Sequence, residues 1–387
     1  TGFIRNFTAY GTLETALGTV TTDIKMKLPE NKSPTYSGKV ETASFNLGKF
    51  LGRTDVGVIA FNGELSGSGF NTTTAVAKVN GTVRSFFWND YNFQNVTLTG
   101  DLKEKQFTGE GVIDDPNLKA TLKGSFNLNA DEPEYNLLVD IQRGNLKEIN
   151  LAKTEMNVLG KFRLNFKGKT VDDFIGEASL YDVALTTKGQ VYVFDTLNLY
   201  SMRVDDRKQI EISNSDIYVS VNGIFTIRDL PKTINSYLNK YYPIYFEAPN
   251  TQILNQDFTF RADLKNIDQY LPLFNTALRG LDYSSITGRI NTNEKVFLLS
   301  ANIPYLTFNR QEVRDFLLEA NGNMDSLSID ASAGLIVMND SLQIPSSRLI
   351  IKSSGDISAI TLKTSENQEQ HIANLSLTMQ NLKDGIR

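Results

Sequence analysis

A single histidine, His371, stands among 387 residues that include no cysteine. Imidazole catalysis needs a placed base with an orienting partner, and thiolate nucleophiles or thiolate metal sites need cysteine. The raw material for either is missing, and His371 lies in the polar run SENQEQHIAN, where it reads as a solvated turn residue. Three acid pairs remain, Asp114-Asp115, Asp172-Asp173 and Asp205-Asp206, as candidates for calcium binding or general acid/base work. Neighbours along a strand point to opposite faces, and no oxygen-rich loop of EF-hand spacing accompanies the pairs, so they read as turns. The Gly cluster LSGSGF at Leu65 to Phe70 has no following helix or phosphate-binding Lys, which leaves a turn or bulge. Trp88, beside Asn89-Asp90, reads as a turn-flanking aromatic packed on its neighbours. No catalytic residue, metal or cofactor is expected.

Lys and Arg total 39 against 44 Asp and Glu, scattered along the chain, so no basic stripe is available to neutralise a phosphate backbone and nucleic acid is excluded as a partner. Hydrophobic residues at 40% with charged residues at 21% describe a chain that folds. The longest apolar runs, Val56 to Phe61 and Leu335 to Met338, are strand-sized and far below the ~18 residues of a membrane span. The opening TGFIRNFTAYGTLE has neither an initiator Met nor a charged-then-apolar leader pattern, and reads as a segment cut from a larger protein.

The elements that would position any site are strands. Apolar residues recur at every second position in Leu118, Ala120, Leu122; Leu137, Val139, Ile141; Phe162, Leu164, Phe166; Phe258, Phe260, Ala262, Leu264; and Phe316, Leu318, Ala320. Polar residues stand between them, as in strands with one apolar and one wetted face. Turn clusters such as ENKSP, WNDY, DDPN, NADEP, VDDR and NTNE follow every ten residues or so. Together they predict an all-β antiparallel meander. Two segments break the pattern. DLPKTINSYLNKYY, from Asp229 to Tyr242, puts Leu230, Ile234, Tyr237, Leu238 and Tyr241 on one helical face, with Asp229 as N-cap and Pro243 as the stop. NIDQYLPLFNTALRG predicts a second helix, ended by Gly280 and either started or broken by Pro272. The expected organisation is a β segment over residues 1–228, a helix-containing insertion or cap over 229–283, and a β segment over 284–387 continuous with the first.

A loose repeat is visible in Val79 to Gly100, Gly176 to Met202 and Ser300 to Gly322, each a strand, a polar or aromatic turn, and a strand opening at Asn-Val, Asp-Thr-Leu or Asp-Phe. The apolar side mixes bulky with small residues, which suits a curved interior of varying width. Its expected lining is Val83, Phe87, Leu118, Leu122, Leu137, Val139, Phe162, Leu164, Ala178, Leu180, Val191, Val193, Phe258, Phe260, Phe297, Leu299, Phe316 and Leu318.

The phrases YSGKVETASFNLGKFLG (Tyr36 to Gly52), IDDPNLKATLKGSFNL (Ile113 to Leu128) and SNSDIYVSVNGIFTIRDLPKTINSYLNKYYP (Ser213 to Pro243) resemble repeating elements of the AsmA-like superfamily. Within it they are most similar to TamB-like proteins of Bacteroidetes-type envelopes, as an internal or C-terminal segment. The resemblance implies an elongated antiparallel β-meander curled lengthwise into a taco-like groove with an apolar interior. It implies a periplasmic lipid-transfer protein that binds phospholipid acyl chains between inner and outer membranes. The parent protein would be tethered by an inner-membrane anchor and would work with an outer-membrane barrel of the BamA/TamA type. The alternative it carries is a scaffold for outer-membrane barrel assembly or secretion. Neither needs a reactive group.

Overall fold

The computed structural model describes residues 2–3, 5–69, 75–127, 133–170, 172–241, 255–275, 277–323, 325–339, 341–367, 370–382 and 385–386. Strand accounts for 72% and helix for 8%, so the fold is all-β, and the sheet is antiparallel and open. The chain forms two compact units, residues 1–197 and 198–387.

In the first unit each strand pairs with the next, from Asn6–Thr15 and Gly18–Lys27 to Met156–Lys167 and Ile175–Thr187. Short hairpins make this possible. Asn89 and Asp90, with φ of 50° and 59°, join Val76–Trp88 to Tyr91–Lys103 in a two-residue turn, and Glu104 and Lys105 repeat the device. Positive φ at both turn residues matches the strand twist, and Asn and Asp tolerate it best.

In the second unit the meander runs from the part of the strand Gln190–Val204 that begins at Asn198, and Arg207–Ser213, through Ile217–Ile224, Asp257–Leu264 and Ser284–Asn291 to Gln370–Leu382. Residues 229–283, expected as a helix-containing insertion or cap, hold both helix and strand. Leu230–Tyr241 is a helix, but Asp257–Leu264 is a sheet strand, bonded to Ile217–Ile224 on one side and Ser284–Asn291 on the other. Its alternation, Phe258, Phe260, Ala262 and Leu264, had marked it as strand. The expected stop at Pro243 lies outside the described residues.

The second expected helix shortens to a six-residue 3-10 helix, Asp268–Leu273, and Leu278–Gly280 is a strand. Pro272 removes a helical donor, and two carboxylates take the backbone groups that a longer helix would have used. Asp282 accepts the N–H groups of Ile267 and Asp268 at 2.6 and 2.9 Å, and Asp268 accepts that of Gly280 at 2.6 Å. His371 is also corrected: its backbone lies in the strand Gln370–Leu382, opposite Ser365, and not in a turn.

The accessible surface of 23412 Å² says how thinly these sheets are covered. Two separate compact proteins, each half of this mass, would together expose only about 18,000 Å². Inward residues such as Leu122, Leu137 and Phe162 stay only half-buried, which shows where a packed second layer is missing within the first unit.

Candidate functional site: an apolar trough across the strands

Antiparallel register decides which inward residues stand side by side, because direct partners lie only about 5 Å apart on one face. In the first unit the partners form a row across ten strands: Thr22, Val40, Gly63, Gly81, Leu98, Gly111, Leu122, Val139, Phe162, Leu180. Beside it runs Ile24, Gly38, Leu65, Val79, Gly100, Gly109, Gly124, Leu137, Leu164, Ala178. Neither row contains a charge. At about 4.8 Å per strand, either row runs some 40 Å perpendicular to the strands.

A cavity of about 340 Å³ opens on this face. Phe86, Trp88, Phe93, Phe107 and Phe126 wall it together with Leu98, Leu122 and Leu137, and Lys123 is the one charged residue on its lining. Its glycines make the depth. A Cβ on Gly109 would lie 2.9 Å from the Phe107 ring and one on Gly100 only 2.5 Å, so Phe107 lies flat across both. Phe61 covers Gly63 and Gly81 in the same way. The rings shield backbone that a side chain would otherwise cover, and leave a smooth apolar wall. Phe107 stacks on Phe126 with centroids 5.2 Å apart, and Phe93 packs between Tyr91 and Trp88 at 4.7 and 6.1 Å. Trp88 turns its indole N–H to Asp55, 3.2 Å away. Asp55 stays ionised below the usual carboxylate range, chiefly through its hydrogen bond from Arg53.

The wall bends at bulges. Asn95, Asp182 and Asp315 lie inside strands yet have φ near 50°, and each is followed at once by an inward apolar residue, Val96, Val183 or Phe316. One extra residue shifts the two-residue period, so Tyr91 and Phe93 face inward before Asn95 and Val96, Leu98 and Gly100 after it. Two of the three repeats carry this device in their second strand, at Asn95 and Asp315, whereas in the repeat Gly176 to Met202 it falls in the first strand, at Asp182, and not at the Asp195 of Asp-Thr-Leu. The interrupted ladder is repaired beside Asn95 by Asp115, 1% exposed, whose carboxylate accepts from the Gln94 and Asn117 N–H groups and the Tyr91 hydroxyl at 2.9, 2.8 and 2.7 Å. Burial, and donation to Asp115, push the Tyr91 pKa up. At Asp315 the partner strand offers Pro304, which has no N–H to leave unpaired, and the Asp315 side chain packs over Gly334.

The opposite face of the first unit is polar. It carries a larger concavity, about 650 Å³, whose charged lining of Asp23, Glu64 and Asp101 against Lys25, Lys39 and Lys78 balances to zero. Size therefore does not select the site: this concavity lacks an apolar wall and sits on the wetted side.

In the second unit the corresponding face has three rows. One contains Phe258, Ile290, Phe297, Gly322 and Leu327; the next Val221, Phe260, Gly288, Leu299, Ala320, Ile329, Ile351, Ile360 and Leu377. The third runs Ala262, Ile286, Ala301, Leu318, Ala331, Leu349, Leu362 and Leu375. The helix Leu230–Tyr241 covers the first and part of the second, with Tyr237 and Tyr241 packed against Phe258, Ile290, Phe297, Ala320 and Leu327. Its buried stripe is Thr233, Tyr237 and Tyr241, whereas Ile234 is 37% exposed, so the stripe is turned from the one expected. Thr233 can be buried because its hydroxyl returns to the Asp229 carbonyl at 2.9 Å.

Of the expected lining, Val83, Ala178, Phe258 and Phe297 are buried. Leu118, Leu122, Leu137, Val139, Phe162, Leu164, Leu180, Phe260, Leu299, Phe316 and Leu318 are half-buried on the same faces. Phe258 and Phe297 meet the helix and are protein-packed core. Three residues point the other way. Val191 and Val193 are 61% and 53% exposed, while Tyr192 between them is 8% exposed. Phe87 is exposed and packs over Gly57, because the register shift at Arg84 turns Phe86 and Trp88 inward instead. The sequence reading missed Phe107, Phe126 and the floor glycines Gly109, Gly111 and Gly124. Their signal was glycine in phase with the apolar alternation.

Among the described residues no group of three or more His, Cys, Asp or Glu is placed to hold a metal ion, and no helix is long and apolar enough to cross a membrane. No family model matches the chain, and neither a curated protein nor a solved structure matches it.

Proposed function

We propose that the first unit is a non-catalytic carrier whose trough holds acyl chains of phospholipid, as a segment of a periplasmic TamB-like protein that moves lipid between inner and outer membranes. The charge-free row from Val40 to Leu180 carries this reading. A fatty tail needs a continuous apolar wall and no directed hydrogen bond, and each buried CH₂ contributes about 0.8 kcal/mol. Ten methylenes laid along the row contribute about 8 kcal/mol before the cost of ordering them. A cavity of about 340 Å³ falls within the range of lipid and drug-sized pockets, and its near-absence of polar lining favours a tail over a headgroup. The lack of cysteine suits an oxidising envelope compartment. On this reading the inner-membrane anchor and the outer-membrane BamA/TamA-type barrel are partners of the parent protein.

The test is a titration of the delipidated chain with cis-parinaric acid, followed by displacement with phosphatidylethanolamine. Saturable fluorescence that phosphatidylethanolamine reverses, and that Leu122→Arg abolishes without unfolding the chain, is the expected result. Non-saturating fluorescence that is indifferent to Leu122→Arg would reject the carrier. Strand-addition assistance to barrel proteins would then be the reading to pursue.

A further inference from the structure

The helix Leu230–Tyr241 stands where a guest would stand. The rows that it covers in the second unit are of the same kind as those left bare in the first, and the second row continues past it as Ile351, Ile360 and Leu377. Two tyrosines fasten it to the sheet, each ring buried and each hydroxyl donated to a backbone carbonyl. Tyr237 stacks on Phe297 with centroids 5.6 Å apart and donates its hydroxyl to the Asn291 carbonyl at 2.8 Å, and Tyr241 donates to the Asn323 carbonyl. Both acceptors lie at or just beyond strand ends, Ser284–Asn291 and Gln311–Gly322, so the latches sit at one margin of the sheet. Twelve residues make a marginal helix away from tertiary contacts, so this helix depends on the packing of Tyr237, Tyr241 and Leu230 against the sheet. Ile234 remains exposed on another side.

We propose that this helix is a displaceable plug over a second acyl-binding surface, held by the two tyrosine latches, and that a fatty chain takes its place on Phe258, Phe260, Phe297 and Leu299 when it lifts. The proposal rests on the carrier reading of the first unit for the nature of the guest. The lifting itself does not depend on that reading.

Hydrogen exchange at pH 7 on the full chain decides the lifting. Amides of 230–241 should exchange faster than those of the strands Asp257–Leu264 and Ser284–Asn291. Tyr237→Phe/Tyr241→Phe keeps both rings and removes both latches. It should speed exchange in the helix by about twenty-five-fold, for two hydrogen bonds each worth a factor of about five, and leave the two strands unchanged. The same variant should bind more cis-parinaric acid per chain than the wild type does. Helix and strands exchanging together, or accelerated together by the double substitution, would make the helix a fixed core element and overturn the proposal. So would an unchanged parinarate stoichiometry alongside binding in the first unit. A wild-type chain that binds no parinarate at all would reject the carrier reading instead, and exchange would still decide whether the helix lifts.

Discussion

The Asp115 carboxylate accepts the backbone N–H of Gln94 at 2.9 Å, one residue before the left-handed Asn95. A turn residue thus supplies the acceptor that the neighbouring strand loses where its ladder is interrupted. The inward run Val96, Leu98, Gly100 owes its phase to that bulge, so the cavity wall depends on a carboxylate outside it.

Asp115→Ala strands the N–H groups of Gln94 and Asn117 and the Tyr91 hydroxyl. Equilibrium denaturation should show a loss of about 2–4 kcal/mol. A loss within 0.5 kcal/mol, the usual range for plain surface substitutions, would mean that the bulge holds its own geometry.

Asn95 tests the bulge directly. Asn95→Gly accepts φ of 52° without strain and should leave stability nearly unchanged. Asn95→Val forces a β-branched residue into the left-handed region and should cost about 2 kcal/mol. Equal stability of the two variants in urea would contradict the assignment.

Burial, with Tyr241 adding to it, pushes the Tyr237 hydroxyl up to about 12. The folded state therefore favours the neutral phenol, and this stability is complete below the ordinary tyrosine pKa near 10 and falls as pH rises toward 12. Wild type should lose urea resistance over that window faster than Tyr237→Phe does. Parallel curves would place the titrating group elsewhere.

The regularity of the fold was legible because one wetted and one apolar face impose a period of two: Leu137 with Val139, and Phe162 with Leu164, stand where alternation puts them. Phase was legible only where the faces differ. In Gln190–Val204 the run Val191, Tyr192, Val193, Phe194 is apolar on both sides, so nothing local says that Tyr192 is the inward residue. Phe87 was misplaced for another reason, since the shift at Arg84 is a backbone event that no side-chain pattern records. The helix was legible and its rotation was not, because Thr233 reads as polar until its hydroxyl is seen to bond Asp229. Gly109 and Gly111 were passed over because glycine has no hydropathy to alternate, although their spacing is in phase with Phe107 and Ile113.

The trough can be filled without disturbing its frame at Gly111. A Cβ there meets nothing closer than the Thr97 carbonyl at 3.9 Å and the Leu98 methyl at 4.0 Å, unlike the crowded Gly109. Native mass spectrometry of purified wild type and Gly111→Phe, with their melting temperatures compared, tests the central claim most directly. Phospholipid bound to wild type and lost from Gly111→Phe at unchanged melting temperature is the predicted result. Wild type free of lipid, or lipid retained equally by Gly111→Phe, would contradict it.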